Sequence, residues 1–233
     1  MARTAEQGSP ARAEAFAADC VRCPRLAAYL ADCRAARPGY RGLPVPAFGV
    51  EAPRLLVVGL APGLHGANRT GRPFTGDHAG ILLYETLYAH GFSSAPVSVA
   101  ADDGLTLIEA RITNAARCAP PANKPLPAEV RACAGYLAAD LARVPAGGVV
   151  IALGRVAHEA VLAALGEKGR AFPFAHGARH DLGDGRTLID SYHCSRYNTQ
   201  TRRLTADMFA AVFLGARELL DADPRRGAAR ALR

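Results

Sequence analysis

Two groups of residues in this chain have types and spacing suited to chemistry. The first is a set of cysteines. Cys20 and Cys23 form a Cys-x-x-Cys pair followed by Pro24, and such a pair brings two thiolates to one ion. Cys118 and Cys133 are separated by fourteen residues that include Ala119-Pro120-Pro121-Ala122-Asn123-Lys124-Pro125, a proline-rich excursion able to fold back and present both sulfurs together. Four thiolates hold either a tetrahedral zinc or an iron–sulfur cluster, and spacing does not decide between them. Cys33 and Cys194 stand outside this set, and Cys33 is expected either to pack as a small hydrophobe or to lie exposed, without a function. The second group is a loop, Gly59-Leu60-Ala61-Pro62-Gly63-Leu64-His65-Gly66, running on to Phe74 and Asp77. It offers closely approachable backbone, one aromatic ring, one acid and two arginines. It lacks the lysine of a phosphate-cradling Gly-x-x-x-x-Gly-Lys-Ser/Thr loop, and Pro62 breaks a dinucleotide fingerprint.

These residues need elements to hold them. Leu55-Leu56-Val57-Val58 is a short unbroken apolar run of the kind that forms a strand buried on both faces, and the loop leaves its carboxyl end, where open α/β sheets bind ligands. Further strands are expected over 105–115 and 148–154 and over 187–192, the last leading to His193-Cys194-Ser195. Helices are expected over 11–37, 78–90, 127–143, 155–165 and 202–220, and the loop is too rich in glycine and proline to be helical. Alternating strands and helices predict an α/β fold, a three-layer sandwich around a mostly parallel four-stranded sheet. At 233 residues the chain reads as one domain, with flexible ends over about 1–12 and 222–233. Lys and Arg number 28 against 21 Asp and Glu, an excess that suits a polyanionic partner without proving one. No run of about eighteen apolar residues suggests a membrane span, and the first ten residues lack a signal sequence's apolar core, so a cytoplasmic location is expected.

Three strand ends then carry distinctive residues: the Gly-Leu-Ala-Pro-Gly loop, Thr113-Asn114-Ala115, and His193-Cys194-Ser195. With the four cysteines, the strings Gly66–Asp77, Arg117–Pro125 and Ser195–Thr201 resemble the iron–sulfur family 5 of the uracil-DNA glycosylase superfamily over residues 18–215. The resemblance implies a [4Fe–4S] cluster on Cys20, Cys23, Cys118 and Cys133, which selects iron over zinc by analogy alone. Two departures stand out. Cys194 replaces the proline usual in the second motif. Ala61 and Leu60 stand where related glycosylases carry an aspartate or glutamate, as family 5 also lacks an acid there.

The expected activity is hydrolysis of the N-glycosidic bond of uracil and other deaminated or damaged bases in DNA, double- or single-stranded, by a prokaryotic monomer without lyase chemistry. The base must be flipped out of the stack and held in a pocket. Phe74 then stacks on it, and Asn114 donates to one carbonyl and accepts from the ring N–H, a pattern that fits uracil and not cytosine. His193 stabilises the departing anion. Asp77 either orients the attacking water or merely caps the helix that follows it. Gly59, Leu60, Ala61, Pro62, Gly63 and His65 in the loop, with Ser195 and Arg196, meet DNA, and Arg196 and Tyr197 are candidates to fill the gap left by the flipped base. The alternatives are a family 4-like enzyme restricted to uracil and a non-catalytic, metal-stabilised nucleic-acid binding domain.

Overall fold

Four buried parallel strands carry the rest of the molecule, which a computed structural model describes over residues 9–222. The strands in chain order are β1 (Phe48–Gly49), β2 (Leu55–Gly59), β3 (Ala110–Asn114), β4 (Val149–Leu153), β5 (Arg179–Asp181) and β6 (Thr187–Ser191). They form one six-stranded sheet in the order β1-β3-β2-β4-β6-β5. Strands β3, β2, β4 and β6 are mutually parallel, and the two short edge strands run antiparallel to their neighbours. The expected four strands are therefore the centre of a wider sheet. The edge strands, two and three residues long, leave no periodic trace in the sequence.

Period-two alternation sends successive residues to opposite faces. Leu55, Val57 and Ile151 face one layer, formed by α3 (His78–Ala89) and α8 (Ala206–Ala222) with Leu83, Leu87, Phe209 and Phe213. Leu56, Val58 and Val150 face the other, formed by α5 (Ala134–Leu141) and α6 (Arg155–Leu165) with Leu137, Leu141 and Val161. No helix among the described residues is long and apolar enough to cross a membrane.

Several elements differ from the sequence expectation. The helix expected over 11–37 exists only as α1 (Pro24–Ala36). Proline takes the first helical position and holds Cys23 before it in an extended conformation, so the helix cannot begin earlier. Residues 9–22 instead cross the α5–α6 layer, with the Ala11 N–H donating to the Ala164 carbonyl at 3.0 Å and Glu14 N–H to that of Gly135 at 3.0 Å. Part of the end expected to be flexible is thus tied down, and the rest lies outside the described residues. The strand expected from residue 105 begins at Ala110, after Glu109 adopts a left-handed φ of 54°. The helix expected over 127–143 is divided at Cys133 into α4 (Pro127–Ala132) and α5. The glycine-rich loop contains one helical turn, α2 (Ala67–Thr70), and α7 (Arg196–Gln200) precedes α8, which starts later than expected.

One buried carboxylate joins β3 to the α5 layer. Asp140 accepts from Arg111 Nε at 3.0 Å, from the Thr113 hydroxyl at 2.7 Å and from Arg117 Nη2. Asp140 and Arg117 are 4% and 2% exposed, so truncating the acid strands buried positive charge. Asp140→Ala is expected to cost about 3–5 kcal/mol, read by denaturant unfolding. A loss below about 1 kcal/mol, the level of a surface pair, contradicts that role.

Candidate active site

The carboxyl ends of β2, β3, β4 and β6 converge on a cavity of about 540 Å³. From β2 come Leu60, Ala61, Pro62, Gly63 and His65, from β3 Asn114, and from β6 His193, Ser195 and Arg196. Phe74 and Asp77 enter from the loop between β2 and α3. Of the residues singled out in the sequence as catalytic or DNA-contacting, Gly59 and Tyr197 do not line the cavity. Gly59 lies beneath it: a Cβ there would come 2.6 Å from Phe74 Cζ and also collide with Asn114 Oδ1, so only glycine lets both side chains lie over the strand. Tyr197 is 71% exposed on α7. Sequence reasoning missed the amino end of α6, where Gly154, Arg155 and Val156 line the cavity, and also Asn123. The available signal was Gly154 at the carboxyl end of the plainest strand, β4.

Phe74 is held in a left-handed conformation, φ 55°, a strained state for a bulky residue that its surroundings must enforce. The Tyr84 hydroxyl donates to the neighbouring Pro73 carbonyl at 2.9 Å. Arg72 is 4% exposed, pairs with Asp103 at 2.6 Å and donates to the Ala101 carbonyl at 2.6 Å. The Phe74 ring faces the His193 imidazole, with centroids 6.0 Å apart and planes inclined by 28°.

Asp77 has a different task for each oxygen. It is the N-cap of α3, with Oδ1 accepting from the Gly80 N–H at 3.0 Å. Oδ2 points to the loop, against Gly63 and Gly66, where a Cβ on Gly66 would collide with it. Burial raises the Asp77 pKa above the usual carboxylate value despite the amide donors. Cap and cavity carboxylate are one residue.

Two buried polar atoms at the cavity have no hydrogen-bond partner among the described residues: Asn114 Oδ1 and His193 Nδ1. The His193 carbonyl accepts from Asn198 Nδ2 at 2.8 Å, which ties the β6 end to α7. Ser195 caps α7, accepting from the Asn198 N–H at 3.4 Å, so its hydroxyl is engaged within the protein. Burial lowers the His193 pKa to about 4, so the imidazole is neutral at physiological pH. Cys194 is buried next to Asp77, and burial together with that carboxylate raises its pKa, keeping it a thiol.

The four cysteines singled out by spacing line a second, small cavity together with Arg22, Arg117 and Tyr136. Burial and the neighbouring sulfurs push the Cys118 thiol up to about 12. A different group, His158, His180 and Asp190, brings three potential ligand atoms within 4.8 Å of one another. Its N···O separations of 2.7 and 3.0 Å are direct hydrogen bonds, shorter than the roughly 3.3 Å edge of a tetrahedral ion with ligands about 2.0 Å away. His158 Nε2 also donates to the Phe172 carbonyl at 2.9 Å, so the trio works as a clamp between α6, β5 and β6.

A family model for the Uracil DNA glycosylase superfamily matches residues 46–215. The chain belongs to that superfamily. Among curated relatives, it is 49% identical over 205 residues to a type-5 uracil-DNA glycosylase of Thermus thermophilus, covering 86% of this chain and 93% of that one. It is 41% identical over 220 residues to a type-5 uracil-DNA glycosylase of Mycobacterium bovis, covering 91% and 82%. A type-4 uracil-DNA glycosylase of Archaeoglobus fulgidus matches at 37% over 114 residues, about half of either chain. For this superfamily member, the acid at the pocket is Asp77, while Leu60 and Ala61 present apolar surface.

The His193 shift has a direct consequence for stability. The unfolded chain binds a proton near pH 6.5 that the folded chain refuses until about pH 4, so stability falls as pH drops through that window. The melting temperature of the wild type is expected to decline between pH 6.5 and 4 more than that of His193→Gln. Parallel declines would show that His193 is not the group responsible.

Proposed function

We propose that this chain is a monofunctional DNA glycosylase of the type-5 kind, hydrolysing the bond between deoxyribose and uracil or a related deaminated base. The observation that carries the reading is the pair of unpartnered buried atoms, Asn114 Oδ1 and His193 Nδ1, on two strand ends of one cavity beside an aromatic face. Leaving such atoms unpaired is costly, and a bound base edge supplies what they lack. The names of the relatives support uracil in DNA as substrate.

In this reading the flipped base slides against Phe74. Asn114 Oδ1 accepts from the ring N–H of uracil; cytosine offers a lone pair there and is rejected. Cleavage sends the bonding electrons into the base, leaving an oxocarbenium-like sugar. Neutral His193 donates a hydrogen bond to the developing anion without first having to lose a proton. Asp77 Oδ2 takes up a proton from the water that attacks the sugar, while Oδ1 keeps the carboxylate fixed on the helix. Arg196 and Tyr197, at the mouth and on exposed α7, meet the duplex and fill the vacated stack.

The cysteine cavity supports a [4Fe–4S] group on Cys20, Cys23, Cys118 and Cys133. Thiols pushed upward by one another become thiolates together only around strong positive charge. The same four residues line one small cavity, as ligands of a shared group must. Bound there, the group supplies cross-linking between α1 and the 117–133 segment rather than reaction chemistry.

The test is a strand-nicking assay for abasic sites on DNA containing uracil, hypoxanthine, xanthine or ethenocytosine. Cleavage is expected on uracil and on at least one other base, and Asn114→Ala should impair uracil selectively whereas His193→Ala slows every substrate. Activity confined to uracil favours a type-4-like enzyme, and none on any substrate favours a binding domain.

Asp77→Asn separates the two tasks of the acid. Asparagine caps almost as well, and burial penalises the native carboxylate, so the melting temperature at neutral pH should hold or rise. The single-turnover rate should fall at least about tenfold, roughly 1.4 kcal/mol. In the wild type the rate should fall as pH drops through the raised Asp77 pKa, and this acid limb should vanish in the variant. An unchanged rate removes Asp77 from the chemistry.

A further inference from the structure

Arg117 lies between the two functional regions in sequence. It immediately precedes Cys118, and it lies three residues beyond Asn114. Its side chain is buried, with Nη2 paired to Asp140. Its Nε and Nη1, equally buried, have no hydrogen-bond partner among the described residues. One aromatic contact, with the Phe16 ring 5.6 Å from the guanidinium carbon, does not satisfy those N–H groups. The charges do not balance either. Asp140 alone serves Arg111 and Arg117 in the interior, and Glu51, the other acid near Arg111, is 76% exposed. Arg117, which carries this buried charge and the two unused donors, lines the small cavity together with Cys20, Cys23, Cys118 and Cys133. Arg117 already touches that cavity through its backbone N–H, which donates to Cys133.

The missing partner is an anion with diffuse acceptors facing the sulfurs. An iron–sulfur cluster held by four thiolates has net negative charge and sulfide acceptors. We propose that Arg117 is the charge and hydrogen-bond partner of that group, its Nε and Nη1 donating to sulfur while Asp140 fixes Nη2. This rests on the cluster assignment above. Arg117 is then a positioning residue, which sets the electrostatics of the cluster and anchors it to the strand that ends in Asn114. Net charge and hydrogen bonds to sulfur are the main protein levers on a cluster's potential.

Iron and sulfide are counted first in the purified holoprotein; stoichiometric zinc without iron overturns the cluster assignment, and this proposal with it. Where iron is present, wild type, Arg117→Gln and Arg117→Lys are compared by spectroelectrochemical titration and by the rate of iron loss to a chelator. Removing the charge should move the Arg117→Gln potential to more negative values, because the reduced, more negative state loses its counter-charge. Iron loss should accelerate at least about tenfold, as for other outer-shell partners of metal sites. Arg117→Lys keeps the charge but not the fork, so its potential should stay near wild type while iron loss still accelerates. An iron-loaded, folded Arg117→Gln with wild-type potential overturns the proposal. Should that variant fail to fold, wild-type protein labelled with 15N-arginine decides. One Nε–H signal should exchange slowly and broaden on cluster reduction, and the absence of any such signal is equally decisive against the proposal.

Discussion

Burial of the central strands on both faces is the constraint from which the rest of the structure follows. Every residue of β2 and β4 is buried, so their side chains are fully engaged in packing against the two helical layers. Such strands must be covered on both sides, which requires helical crossovers and a common strand direction. A common direction gathers the carboxyl ends at one edge. Chemistry can then be placed only where the strands stop, and the pocket residues Asn114, Gly154 and His193 occupy three such stops.

The loop after β2 shows how local strain and close approach are maintained there. Phe74 adopts a left-handed backbone, and the segment around it is fastened by the Tyr84 hydroxyl on one side and by buried Arg72 on the other. Small residues make room for the groups that converge. Gly59 lies beneath Asn114 and Phe74, and Gly66 leaves space for an Asp77 oxygen. The amide donors at the start of α3 hold one oxygen of that carboxylate, so its second oxygen is aimed without a separate supporting side chain.

Much of this was legible in the chain because the signals are local. Strand signals located the four parallel strands, and their ends, with the long loop after β2, supplied Asn114, His193 and Asp77 to the cavity. Cysteine spacing identified four residues that do share a cavity. What was illegible depends on tertiary context. Arg72 reads as a surface charge until Asp103 folds over it, and the alanine-rich segment before Pro24 reads as helix until its backbone N–H groups find carbonyls on α5 and α6. The contribution of α6 to the pocket follows from β4, the strand that leads into it, lying beside β2 in the sheet, an adjacency that no periodicity encodes. Cys133 reads as one residue in a continuous helix, whereas the chain breaks its helix there and turns the cysteine toward the others.

The six residues Thr113 to Cys118 serve three purposes in succession: strand core, pocket wall and cysteine cavity. Engineering of base selectivity meets this economy directly. A substitution near Asn114 that shifts the backbone also acts on Arg117 and Cys118, three and four residues further on. Leu60 shares this constraint, its carbonyl accepting from the Ala116 N–H at 3.0 Å, whereas the wall at Val156 is carried by α6 after β4 and is 41% exposed. Diversity introduced there can reshape the cavity while the cysteine region stays intact, which makes that wall the more evolvable side of the pocket.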